Sequence, residues 1–163
     1  MISTLLVEHP WLAPTALALV LVLGPPLGRW LVPRRRTAWA LTAVALLPVA
    51  ALTLVPVDRE LFGCCEFAWA LPTFGRVEIF ANVLLLVPAA LAAAVALRRP
   101  LLALLAGSTL SAAIELLQAL VPALGRSCST NDWLANTIGA ALGAALGWFA
   151  LHWARRAGST LPG

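Results

Sequence analysis

Residues 78–121 read EIFANVLLLVPAALAAAVALRRPLLALLAGSTLSAAIELLQALV. No charge falls between Glu78 and Arg98, and none between Arg99 and Glu115. Two apolar runs of roughly 20 residues, each about 30 Å long as a helix, match the hydrocarbon thickness of a bilayer. Arg98-Arg99-Pro100 leaves space only for a tight turn. The pair therefore reads as a helical hairpin in a membrane.

Working outward, three further runs of the same kind occupy residues 11–32, 37–57 and 133–153, which with 78–97 and 101–121 make five spans. The chain is 61% hydrophobic and 11% charged, whereas a soluble domain carries about 25% charged residues. The expected fold class is all-α, an integral membrane bundle of five transmembrane helices. The sequence divides into a first span with its Arg cluster (1–36), a four-helix membrane region (37–153) and a short tail (154–163). Gly24-Pro25-Pro26-Leu27-Gly28 predicts a first helix kinked or ended inside the membrane.

Arg29, Arg34, Arg35, Arg36, Arg98, Arg99, Arg155 and Arg156 gather at one end of the spans, with only Arg59, Arg76 and Arg126 at the other. All seven acids, Glu8, Asp58, Glu60, Glu66, Glu78, Glu115 and Asp132, fall in the second end's loops or in the span halves beside it. The positive-inside rule puts the arginine end and C-terminus in the cytoplasm and the N-terminus outside. The residues before the first run carry no positive charge and include Glu8, so the run reads as a retained span rather than a cleaved signal. The net charge of +4 comes from these helix-end clusters, which makes nucleic acid an unneeded partner; membrane lipids are the expected one.

Cys64, Cys65 and Cys128 lie in the predicted outer loops, where an oxidising compartment permits a bridge from Cys64 or Cys65 to Cys128; the alternative is three free thiols. A zinc site has no ligand set of metal-type spacing, so no metal and no cofactor is expected.

The ionisable and amide side chains inside the spans carry the functional signal, because hydrocarbon penalises unpaired polar groups by a few kcal/mol. Glu78 and Asn82 stand four apart, as do Asp132 and Asn136, so each pair shares a helix face. Ser108, Ser111, Glu115 and Gln118 form a stripe on the fourth span, with Glu115 roughly 9 Å from its outer end. Gly139, Gly143 and Gly147 continue the fifth span's face with the spacing that lets helices approach closely. The expected assembly brings the three spans together at the glycine seam. Glu78, Asn82, Ser111, Glu115, Gln118, Asp132 and Asn136 then form an outward polar pocket, and Arg126 reaches in as counter-ion. The matching acid-xxx-Asn segments also suggest that spans two and three duplicate spans four and five.

These residues resemble the VanZ-like family. The resemblance covers residues 37–153 and rests on Asn82 followed by Pro88, Ser111-xx-Ile114-Glu115-xx-Gln118, and Gly125-Arg126 followed by Asp132-xxx-Asn136-xx-Gly139. The chain departs from many relatives in having Pro88-Ala89-Ala90 in place of Pro-Leu-Gly, and Glu78 where Asp is frequent. The resemblance implies a multi-pass protein of the bacterial plasma membrane associated with teicoplanin resistance, and no known catalytic activity. The leading expectation is a non-enzymatic envelope protein that binds a lipid-linked cell-wall precursor or a lipophilic glycopeptide antibiotic. The alternatives are an intramembrane hydrolase or transferase of lipid headgroups, a small lipid transporter or flippase, and a purely structural role.

Overall fold

A computed structural model describes residues 8–57, 65–69 and 77–158. Five helices in it are long and apolar enough to cross a membrane. They are α1 (Leu12–Leu31), α2 (Arg35–Leu54), α3 (Val77–Leu97), α4 (Pro100–Leu120) and α5 (Thr130–Gly158). Helices are the only open-ended structures that satisfy every backbone group in lipid, which is why uninterrupted apolar runs adopt them despite modest propensity. α5 runs past residue 153, so Arg155 and Arg156 belong to its last turn rather than to a separate tail.

α1 is continuous from Leu12 to Leu31 through Pro25 and Pro26, so the first helix does not end at the proline pair. Each proline costs one backbone hydrogen bond, but lipid offers freed groups no water, so the chain stays helical. The flanking glycines seat the helix. A Cβ on Gly28 would lie 2.7 Å from Ala150 Cβ, and one on Gly24 would lie 3.0 Å from Leu146 Cδ1. α1 therefore leans on α5 and α3.

α3 is the axis of the bundle, and its most extensive interface is with α5. From Val83 onward it is apolar all round, as a surrounded helix must be, and Val83, Leu86, Val87, Leu91, Ala94 and Val95 are buried. Ile79, Val83, Val87 and Ala135 form one core cluster, packed by α1 side chains; Val49, Leu86 and Ile114 tie α2, α3 and α4. The other helices expose large apolar side chains, among them Leu23, Leu47, Leu105 and Phe149, the pattern of a surface that faces lipid.

Two ends are distinct. At one, Arg98 takes a left-handed turn with φ of 55° and Pro100 opens α4, where a missing N–H costs nothing. Arg35 Nε donates to the Ala96 carbonyl at 3.1 Å, and Arg29 and Arg34 lie over the rings of Trp153 and Trp30. At the other end, β1 (Cys65–Glu66) pairs in parallel with β2 (Cys128–Ser129). Cys65 and Cys128 are disulfide-bonded there; Cys64 lies outside the described residues. Each of the seven tryptophans stands near one end or the other, as interfacial anchors do.

Candidate functional site

The polar side chains of α3, α4 and α5 meet beside the disulfide. α5 begins at Thr130, and its first turns carry Asp132 and Asn136 on one face. Asn82 Nδ2 donates to Asp132 Oδ1 at 2.7 Å, linking α3 to α5. One oxygen of Glu115, Oε2, accepts the backbone N–H of Ser129 at 2.7 Å, linking α4 to β2. One turn further along, Asn136 Nδ2 donates to Ser111 Oγ at 3.0 Å, and both residues are buried. The Ser108 and Thr137 hydroxyls, 3.0 Å apart, extend the same seam. Glu78 is exposed on the first turn of α3. Glu66, Glu78 and Glu115 all lie within electrostatic reach of Asp132.

The short loop segment 65–69 lies on the start of α5. Thr130 Oγ1 donates to the Ala68 carbonyl at 2.9 Å and accepts the Ala68 N–H at 3.0 Å. Trp69 meets Trp133 edge to face, with centroids 6.3 Å apart. Together with the disulfide these contacts hold Ser129, and hence its N–H, against Glu115.

Gln118 and Arg126 do something other than complete the pocket. Gln118 Nε2 donates to the Thr53 carbonyl at 3.0 Å, and Arg126 Nε donates to the Val55 carbonyl at 3.2 Å. Val57 N–H adds a bond to the Leu124 carbonyl at 3.0 Å. A helix ends with carbonyls that lack partners, and a buried amide and a guanidinium satisfy two at the end of α2. Gly125 makes the geometry reachable. It takes φ of 62°, a left-handed conformation open to glycine, and turns the chain out of the 3-10 turn Pro122–Leu124 so that Arg126 points back to α2. Arg126 as counter-ion is thus corrected: among the described residues no ion pair joins it to Glu78, Glu115 or Asp132. Arg59 and Arg76 lie outside the described residues.

This placement has a stability consequence. Gln118→Leu leaves the Thr53 carbonyl unpaired at a part-buried position and is expected to cost about 1 kcal/mol, with a smaller loss for the more exposed Arg126→Ala. Thermal unfolding in detergent measures both. Equal melting points for wild type and Gln118→Leu would refute the role.

The glycine row lies where α5 crosses α3. A Cβ on Gly139 would fall inside the Val83 carbonyl, and one on Gly143 would meet both the Val87 carbonyl and, at 2.8 Å, Ala90 Cβ. The VanZ/LLP1 family profile matches residues 12–151. The chain belongs to the VanZ/LLP1 family. The VanZ/LLP1 match takes in all of α1, which the motif resemblance over 37–153 leaves out. The motif positions sort into three structural roles: Asn82, Ser111, Glu115, Asp132 and Asn136 join α3, α4, β2 and α5; Gln118, Gly125 and Arg126 finish α2; Gly139 admits α3. No curated protein and no solved structure matches the chain.

Sequence reasoning passes over Thr137, Thr130 and the Ser129 N–H. Thr137 falls outside the i, i+4 pairs, and backbone donors leave no mark in a side-chain pattern. An apolar cleft of about 350 Å³ between α1 and α2, floored by Pro88 and Leu91, has no polar side chain in its lining and offers no second candidate.

Proposed function

We propose that this VanZ/LLP1 protein is a non-enzymatic protein of the bacterial plasma membrane. On this reading it binds the polar head of a lipid-linked cell-wall component or a lipophilic glycopeptide at the Glu115–Asp132 cluster. Its disulfide end faces outward and its arginine end the cytoplasm. The orientation is supported by eight arginines, Arg29, Arg34, Arg35, Arg36, Arg98, Arg99, Arg155 and Arg156, gathered at one end. The disulfide at the other end favours an oxidising compartment.

The observation that carries the binding reading is the pair of carboxylates on α4 and α5. Glu115 is fixed by the Ser129 N–H and Asp132 by Asn82, beside each other in otherwise apolar helices. Packing alone needs no ionisable group at such depth, and ionisable residues inside membrane helices mark ligand or ion sites. Nucleophilic chemistry finds less support. Ser111 is fully buried with its hydroxyl accepting from Asn136, and Ser129 Oγ accepts the Asn131 N–H at 3.2 Å.

Teicoplanin susceptibility in a host expressing wild type, Glu115→Gln or Asp132→Asn tests the reading, with membrane insertion checked for each. Wild type is expected to protect and both variants to lose most protection. Equal protection by inserted variants would reduce the cluster to helix packing, and an inactive wild type would remove the glycopeptide as ligand.

A further inference from the structure

We infer that the group held at this cluster is a primary ammonium carried on a membrane amphiphile, an inference that rests on the cluster being the binding site. Four acids, Glu66, Glu78, Glu115 and Asp132, act on one another here through Asp132. The arginine nearest in the motif is turned away to the Val55 carbonyl. By sequence the whole end carries the same sign. Seven acids (Glu8, Asp58, Glu60, Glu66, Glu78, Glu115, Asp132) face three arginines (Arg59, Arg76, Arg126), and 7 − 3 leaves four acids in excess. An anionic head would meet this field as repulsion; a cation would be drawn to it.

A second observation calls for an N–H or O–H donor rather than a bare cation. Asn136 is 5% exposed, its Nδ2 is spent on Ser111, and its Oδ1 is buried with no partner. Side chains on a helix tilt toward its N-terminus, so Asn136 leans toward Asp132, one turn nearer that end on the same face. A buried acceptor without a donor costs roughly 1–3 kcal/mol, and only an N–H or O–H relieves it. Asn82 and the Ser129 N–H each use one oxygen of their carboxylate, and a carboxylate offers about four lone-pair sites. An ammonium has three donors to distribute among Asp132, Glu115 and Asn136. A divalent metal is less suited: among the described residues no three His, Cys, Asp or Glu side chains converge to hold one. A quaternary amine has charge but no N–H.

The test uses full-length protein in nanodiscs of phosphatidylcholine doped with phosphatidylethanolamine or phosphatidylglycerol, with lipid retained after detergent extraction counted by native mass spectrometry. Phosphatidylethanolamine is expected to be retained at least tenfold over both others. Glu115→Gln, which keeps an acceptor for the Ser129 N–H, and Asn136→Leu are each expected to erase the preference, with melting points reported to separate loss of fold from loss of binding. Soluble ethanolamine at matched concentration is expected not to compete; competition would overturn the requirement for an amphiphile. Phosphatidylethanolamine retained no better than phosphatidylcholine overturns the ammonium assignment. If phosphatidylglycerol is then retained and released by Glu115→Gln, the binding site itself stands. If no lipid is retained selectively and Glu115→Gln is silent, both fail.

Discussion

Gly139→Leu is expected to abolish the folded protein, and Gly139→Ala to lower its melting temperature more than alanine at Gly24 does. The atom in the way at Gly139 is the Val83 carbonyl oxygen, part of the α3 backbone, and no rotamer choice moves a Cβ away from it. At Gly24 the nearest atom is Leu146 Cδ1, 3.0 Å away at the end of a side chain that can rotate. Overpacking a well-packed site costs about 1–3 kcal/mol where side chains can yield, and more is expected where two helix axes must separate. In a bilayer the loss is felt fully, because lipid gives no hydrophobic drive to push helices together and close van der Waals contact holds them. α3 against α5 is the main interface of the bundle, so separating them releases Asn82 from Asp132 and α1 from both. Detergent-extracted yield and thermal unfolding read the effect. A Gly139→Leu protein that melts with wild type would show that the two helices do not pack as described.

Asn82→Leu should cost about 2–3 kcal/mol, the loss of a hydrogen bond to a charged group that is left without its partner. Asn82 Nδ2 reaches Asp132 Oδ1 at 2.7 Å, and both residues are half-buried between α3 and α5. The double variant Asn82→Leu/Asp132→Leu is expected to recover at least half of that loss, since removing the carboxylate with its donor leaves nothing unpaired. A double-mutant cycle of thermal unfolding measures the coupling directly. Additive losses would show that Asp132 is held by something other than Asn82.

The two experiments bear on different parts of the molecule's logic. The glycine row sets how near α5 comes to α3, and that approach allows a side chain as short as asparagine to span the gap. The Asn82–Asp132 bond then fixes Asp132 beside Glu115, whose own partner comes from β2. Function is expected to follow the carboxylates, while stability follows the seam beneath them.

The five spans were legible from hydropathy alone, because a bilayer leaves an apolar run of this length little choice but to be a helix. The polar positions of the cluster were legible for a related reason: Glu115, Asp132, Asn82 and Asn136 stand out against Ala, Leu and Val, and four-residue spacing puts Asn82 on a face with Glu78 and Asn136 on a face with Asp132. The row Gly139, Gly143 and Gly147 announced a close approach without naming its partner. What could not be read was pairing. Gln118 lies on the same stripe as Glu115, yet it serves the end of α2, because unpaired carbonyls happen to stand there. Arg126 follows it to Val55 because Gly125 turns the chain that way.

The fate of Pro25 and Pro26 shows the same boundary from the other side. Local rules predict a break; the structure keeps the helix, since the alternative is bare backbone in lipid and Gly24 and Gly28 fit α1 onto its neighbours. The sequence by itself determined the five membrane-length helices among the described residues, which end carries the positive charge, and which polar side chains stand out within the spans. Only the tertiary structure decided that Asn82 belongs to Asp132, Asn136 to Ser111, Glu115 to a backbone N–H, and Gln118 and Arg126 to a helix end. The physical reason is that burial in lipid is a property of single residues and short windows, whereas a hydrogen bond needs two groups within about 3 Å, and that distance is set by how whole helices pack.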